Sequence, residues 1–97
     1  MLYSTRAIEI PCDDTLKFEV VSKVTRAFAE NYEVNSVDGA RVSFPGGWVI
    51  IRASNTSPVL TFRAEAESYK GLKLIKEKAY RVLNRFPEID ANRLFNT

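Results

Sequence analysis

Apolar positions along this chain follow two rhythms, one of every second residue and one of every three to four, and their succession outlines a small α+β fold. Ile8 and Ile10 flank Glu9 in the segment Ala7 to Pro11, a short strand closed by proline. Asp13-Asp14-Thr15 offers capping oxygens and negative charge to the free N–H groups at a helix start. Phe18, Val21, Val24 and Phe28 then recur at near-helical spacing, with Lys17, Lys23 and Arg26 falling mainly elsewhere on the wheel. This predicts a helix over about residues 14–30. Glu33 to Val37 and Ala40 to Phe44 read as strands around Asp38-Gly39, a two-residue hairpin signal because glycine tolerates positive φ. Pro45-Gly46-Gly47 is a second turn, and the β-branched run Trp48-Val49-Ile50-Ile51 a central strand. Leu60, Phe62, Ala64 and Ala66 alternate with Thr61, Arg63, Glu65 and Glu67, the period of a half-buried strand. Leu72, Ile75, Ala79, Val82, Leu83 and Phe86 form the stripe of a last helix, which Pro87 ends. Residues 88–97 carry no firm pattern and read as a loose tail. The order is taken as β-α-β-β-β-α. That is an α+β sandwich with a four-stranded, mostly antiparallel sheet and two helices packed on one face.

Composition narrows the function more than the fold. A chain of 97 residues suits a single domain over 1–97, with 45% hydrophobic and 27% charged residues marking it as globular. A net charge of +2 lacks the basic excess of a nucleic-acid surface, so no nucleic-acid partner is expected. One cysteine, Cys12, cannot form an internal disulfide, which suits a reducing, cytoplasmic setting. With no histidine, the chain cannot assemble Ser/His/Asp or Cys/His catalysis or a zinc site, and no catalytic or metal-ligating residue is assigned. No apolar run reaches the roughly 18 residues of a membrane helix, and the start lacks a signal-peptide pattern, so no membrane partner is expected.

Polar groups cluster between two apolar strands in one place, Arg52-Ala53-Ser54-Asn55-Thr56-Ser57-Pro58. The Arg52 guanidinium can fork onto two oxygens of a phosphate. The hydroxyls of Ser54, Thr56 and Ser57, the Asn55 amide and the turn N–H groups can donate to the remaining oxygens. The same residue types also build ordinary Asx and Ser/Thr turns. Arg63 alternates against Leu60 and Phe62, pointing away from the helical layer, and is a weaker, supporting cation. Lys70, Lys73, Lys76, Lys78, Arg81 and Arg85 face a single Glu77 on the last helix, either a polyanion-binding face or a solvated one. Trp48 and Tyr3 could line a sugar or pack on the sheet, and Cys12 reads as a packed hydrophobe.

The run from Arg52 to Ala66, Arg-Ala-Ser-Asn-Thr-Ser-Pro-Val-Leu-Thr-Phe-Arg-Ala-Glu-Ala, resembles the C-terminal domain signature of the α-D-phosphohexomutase family. It is most similar to the bacterial phosphomannomutase/phosphoglucomutase branch. Ser4 to Cys12, Lys17 to Val21, Asp38 to Phe44 and the Gly47-Trp48 strand entry stand before it in the expected order. The likeness covers roughly residues 3 to 84.

The resemblance implies a parent of four domains that interconverts 1-phospho and 6-phospho hexoses through a phosphoserine and a bisphosphorylated intermediate. Mg2+ and a hexose 1,6-bisphosphate activator are implied for that parent, and no cofactor for this domain. The partners implied are a phosphosugar (mannose or glucose 1- or 6-phosphate) and the other three domains. Arg52, Ser54, Asn55, Thr56 and Ser57, with Arg63 in support, would hold the substrate phosphate. Ser54-Asn55-Thr56, where branches acting on glucosamine phosphate tend to carry Ser-Gly-Thr, favours mannose or glucose. No Asp-rich metal loop and no phosphoserine motif stand in this chain. It therefore reads as a fragment, with Met1 supplied as a start residue, and as inactive alone. A nucleic-acid-binding sandwich and a stand-alone interaction domain are the alternatives, the first wanting exposed aromatics on the sheet.

Overall fold

The computed structural model describes residues 2–95. Six strands form one sheet: β1 (Tyr3–Ser4), β2 (Ile8–Pro11), β3 (Glu33–Asn35), β4 (Ala40–Phe44), β5 (Gly47–Ala53) and β6 (Val59–Ala66). The lateral order is β1-β6-β5-β4-β3, and β2 lies in line with β1 along the same edge of β6. Every pairing is antiparallel. Two helices, α1 (Lys17–Ala29) and α2 (Tyr69–Leu83), pack on one face. The α+β class and the helical layer match expectation, whereas the sheet has six strands rather than four. The four-strand order counts one fewer than the five segments that read as strands, all of which join the sheet, and Tyr3–Ser4 adds a short strand with no alternation to announce it.

Alternation decides which face each strand buries. In β4, Ala40, Val42 and Phe44 are buried and Arg41 and Ser43 exposed. In β6, Leu60, Phe62, Ala64 and Ala66 are buried. These faces meet Val24 and Phe28 of α1 and Leu72, Ile75, Ala79 and Leu83 of α2. Phe28 stands edge-on to Phe44, with ring centroids 6.4 Å apart, a geometry that aligns the positive ring edge with the negative face.

Three local expectations shift. Helix α1 starts at Lys17 rather than 14, and Asp13 accepts hydrogen bonds from the Thr15 amide and hydroxyl instead of capping a longer helix. Its buried face is Lys17, Val20, Val24, Ala27 and Phe28, so Phe18 is 62% exposed. Strand β3 stops at Asn35, whose side chain accepts from the Val37 amide, so the turn to β4 is longer than two residues. The tail is not loose as far as residue 95: Ala91–Phe95 forms a 3-10 helix that buries Ala91 and Leu94 beside Ile89. That spacing fits neither strand nor α-helix, which is why periodicity passed over it. Residues 96 and 97 of the expected tail lie outside the described residues.

Candidate functional site

Arg52 is the penultimate residue of β5, and alternation with buried Ile51 turns its side chain to the outer face. Across β6 it stands in register with Thr61. On its other side the turn before β4 brings up Asp38, whose carboxylate accepts from the Arg52 guanidinium at 2.7 Å. Gly39, at φ 78, makes that approach possible. A Cβ there would lie 2.8 Å from Arg52 Cγ and would press on the Ile51 carbonyl. Arg52, Ser54 and Asn55 line one cavity of about 340 Å³ with Asp38, Gly39 and Thr61, and Phe18 and Val21 of α1 close it. Exposed Phe18 is thus a wall of this cavity and not part of the core.

The loop holds its own shape. The Ser54 amide donates to the Val59 carbonyl at 3.0 Å, and the Val59 amide to the Ser57 carbonyl at 2.8 Å. Ser54 Oγ accepts from the Thr56 amide at 3.3 Å and the Ser57 amide at 3.2 Å. The amides of Ser54, Thr56, Ser57 and Val59 are thus satisfied within the turn, which corrects, for these four, the expectation that turn N–H groups stand ready for an anion. The Ser54 hydroxyl, its lone pairs taken, keeps its proton to donate outward. Thr56 is exposed and Ser57 half-buried, neither on the cavity wall.

Lys17 supports the loop from below. The residue is 4% exposed, and its ammonium pairs with Asp14 at 2.7 Å and donates to the Ser57 carbonyl at 3.1 Å. A buried charge is tolerated only with such partners. Sequence reading assigned Lys17 to the solvated side of α1. The only signal against that was the carboxylate three residues earlier. Asp38 and Gly39 were read as turn residues alone.

Arg63 is exposed on the outer face opposite Ile50, and it does not line the cavity that holds Arg52. Trp48 lies under the Arg41 guanidinium at 4.9 Å, and Tyr3 sits on β1 opposite Ala66; neither joins the loop. Cys12 is buried, and burial first, then the neighbouring Asp13 and Glu88 carboxylates, pushes its thiol pKa up, away from the reactive thiolate. Among the described residues, no helix is long and apolar enough to cross a membrane.

Comparison with known proteins points one way. The family model for the phosphoglucomutase/phosphomannomutase C-terminal domain matches residues 8–82. The phosphomannomutase/phosphoglucomutase of Pseudomonas syringae pv. tomato is 36% identical over 89 residues, 90% of this chain and 19% of that protein. Its Pseudomonas putida counterpart is 42% identical over 76 residues, 76% of this chain and 16% of that protein. A phosphoglucosamine mutase of Methanococcus aeolicus is 38% identical over 86 residues, 77% of this chain and 19% of that protein. Among solved structures, a phosphoglucomutase/phosphomannomutase family protein of Burkholderia thailandensis superposes with a TM-score of 0.63 at 25% identity, covering 93% of this chain and 19% of that one. The chain spans about a fifth or less of the length of these relatives.

Proposed function

Because the chain belongs to the phosphoglucomutase/phosphomannomutase family as its C-terminal domain, we propose that it grips a phosphosugar by the phosphate that is not being transferred. The observation that carries this reading is the convergence of Arg52, Ser54 and Asn55 on one cavity. The guanidinium supplies two N–H donors in a plane that fits two phosphate oxygens, the Ser54 hydroxyl a third donor and the Asn55 amide a fourth. Thr56 and Ser57 add hydroxyls at the rim. Arg63 stands too far along the sheet to line the cavity and acts as a more distant cation. Asp38 keeps the guanidinium in place until the phosphate exchanges for it, at little cost because exposed ion pairs are worth only about 0–1 kcal/mol.

The parent enzyme interconverts 1-phospho and 6-phospho hexoses through a phosphoserine and a bisphosphorylated intermediate, and this domain closes over the bound sugar. Closure fixes the sugar's orientation and removes water from the reacting groups, which it does without touching the transferred phosphoryl. Magnesium, where the parent binds it, would supply neutralisation of phosphoryl charge. Among the described residues, no three His, Cys, Asp or Glu groups stand close enough to hold a metal.

Amide chemical-shift mapping with mannose 1-phosphate tests the clamp. Shifts centred on residues 52–57 are expected, with an affinity on the order of millimolar because only one wall of the site is present. Arg52→Ala should abolish them, and binding that survives this change unaltered would overturn the reading. Glucosamine 6-phosphate and single-stranded RNA serve as competing ligands. The chain alone, given magnesium and glucose 1,6-bisphosphate, should show no turnover.

A further inference from the structure

A second cavity, of about 440 Å³, opens at the far end of β6 from the phosphate loop, where the β1–β2 connection crosses the first turns of α2. Arg6, Lys73, Lys76, Tyr69 and Thr5 line it over a floor of Ile8 and Leu72, both buried. It shares no residue with the Arg52 cavity.

The fold builds this convergence from two distant parts of the chain. The Thr5 amide donates to the Ala64 carbonyl at 2.9 Å, and Thr5 Oγ1 accepts from the Ala64 amide at 3.0 Å. With Thr5 so bracketed and Ile8 anchored in the core, Arg6 between them is held over α2. Tyr69, Lys73 and Lys76 follow at helical spacings of four and three, which puts them on one face. No carboxylate lines the cavity, and among the described residues none of the three cations makes an ion pair. Burial lowers the Lys76 pKa, and its ammonium stands 5.4 Å from the centroid of the Phe95 ring. Arg6, Lys73 and Lys76 therefore line one hollow that, among the described residues, no carboxylate lines.

We propose that this cavity is a second anion site, for a phosphorylated small molecule. Arg6 forks onto the phosphate, Lys73 and Lys76 add point charges, and the Tyr69 hydroxyl donates a further hydrogen bond. The Tyr69 ring and Leu72 give the esterified portion an apolar wall, and the volume falls within the roughly 300–1,000 Å³ of small-molecule pockets.

Titration of the 15N-labelled chain with inorganic phosphate and with mannose 6-phosphate, at constant ionic strength, tests the site. Saturable shifts at residues 5–6 and 69–76 are expected. The double substitution Lys73→Gln and Lys76→Gln should raise that Kd about tenfold or more, as the loss of charge-assisted bonds requires, while shifts at 52–57 persist. If mannose 6-phosphate outbinds inorganic phosphate there, the apolar wall contributes. Shifts confined to 52–57, or a drift at 69–76 that grows linearly and is matched by chloride, would refute the second site. Arg52→Ala separates the two readings: it should erase the 52–57 shifts and leave the 69–76 set intact. Loss of the first set alone in the wild-type chain would count against the loop clamp and not against this cavity.

Discussion

Asp38 and Arg52 form an ion pair with both side chains more than half exposed, so the pair orients the guanidinium more than it stabilises the fold. A phosphate must compete with that carboxylate and approach it as a like charge. Asp38→Asn should therefore tighten mannose 1-phosphate binding by about two- to fivefold, the range set by an exposed pair, as read from chemical-shift titration. Unchanged or weaker binding would instead make Asp38 a needed positioning group. Arg52, Ser54 and Asn55 were legible in the sequence because polar groups seldom cluster between two apolar strands without a turn or a ligand to serve. Asp38 was not, since an Asp-Gly pair announces a turn and says nothing of what its carboxylate meets across the sheet. Lys17 misled in the opposite direction. Its ammonium finds Asp14 and the Ser57 carbonyl, so the methylene stem can occupy a buried position that a helical wheel reserves for apolar residues.

Strands β4 and β6 follow their alternation to the residue, because a sheet with one buried face punishes any slip in register. Helix α1 was framed about one position off, its true face being the one that carries Lys17, and the 3-10 segment escaped any periodic template. The turns separate two kinds of glycine. Gly46 takes φ 81 in open space, so its demand is conformational, worth about 1 kcal/mol against an L-residue. At Gly47 the demand is contact: an added Cβ would strike the Glu65 carbonyl and lie 2.6 Å from Ile75 Cδ1. Gly47→Ala should cost roughly 2–3 kcal/mol by overpacking, clearly more than Gly46→Ala, as a shift in urea midpoint at constant slope. Equal losses would mean that α2 can move off β5 at no cost.

Across the whole molecule, two carboxylates are tied down in ways that bear on acid stability. Hydrogen bonds from the Thr15 side chain and then its amide hold Asp13 below the ordinary carboxylate range. Glu88 is lowered by its own amide first and then by Lys23, which reaches it at 3.2 Å. Depressed folded-state values mean that the stabilisation is present above the unfolded pKa and is lost as pH falls through the folded one. Urea midpoints should therefore fall between about pH 6 and pH 3, and Glu88→Gln should flatten part of that fall; a parallel curve for the variant would exclude Glu88 as a contributor. The Lys23–Glu88 pair also ties α1 to the segment leading into the 3-10 helix, whose Leu94 is fully buried. The stretch that matches the family stops at residue 82, yet the buried core runs on to that leucine. A chimera that swaps this domain between relatives thus needs its downstream seam beyond residue 95, because a splice at the edge of recognisable similarity would leave an open wound in the interior.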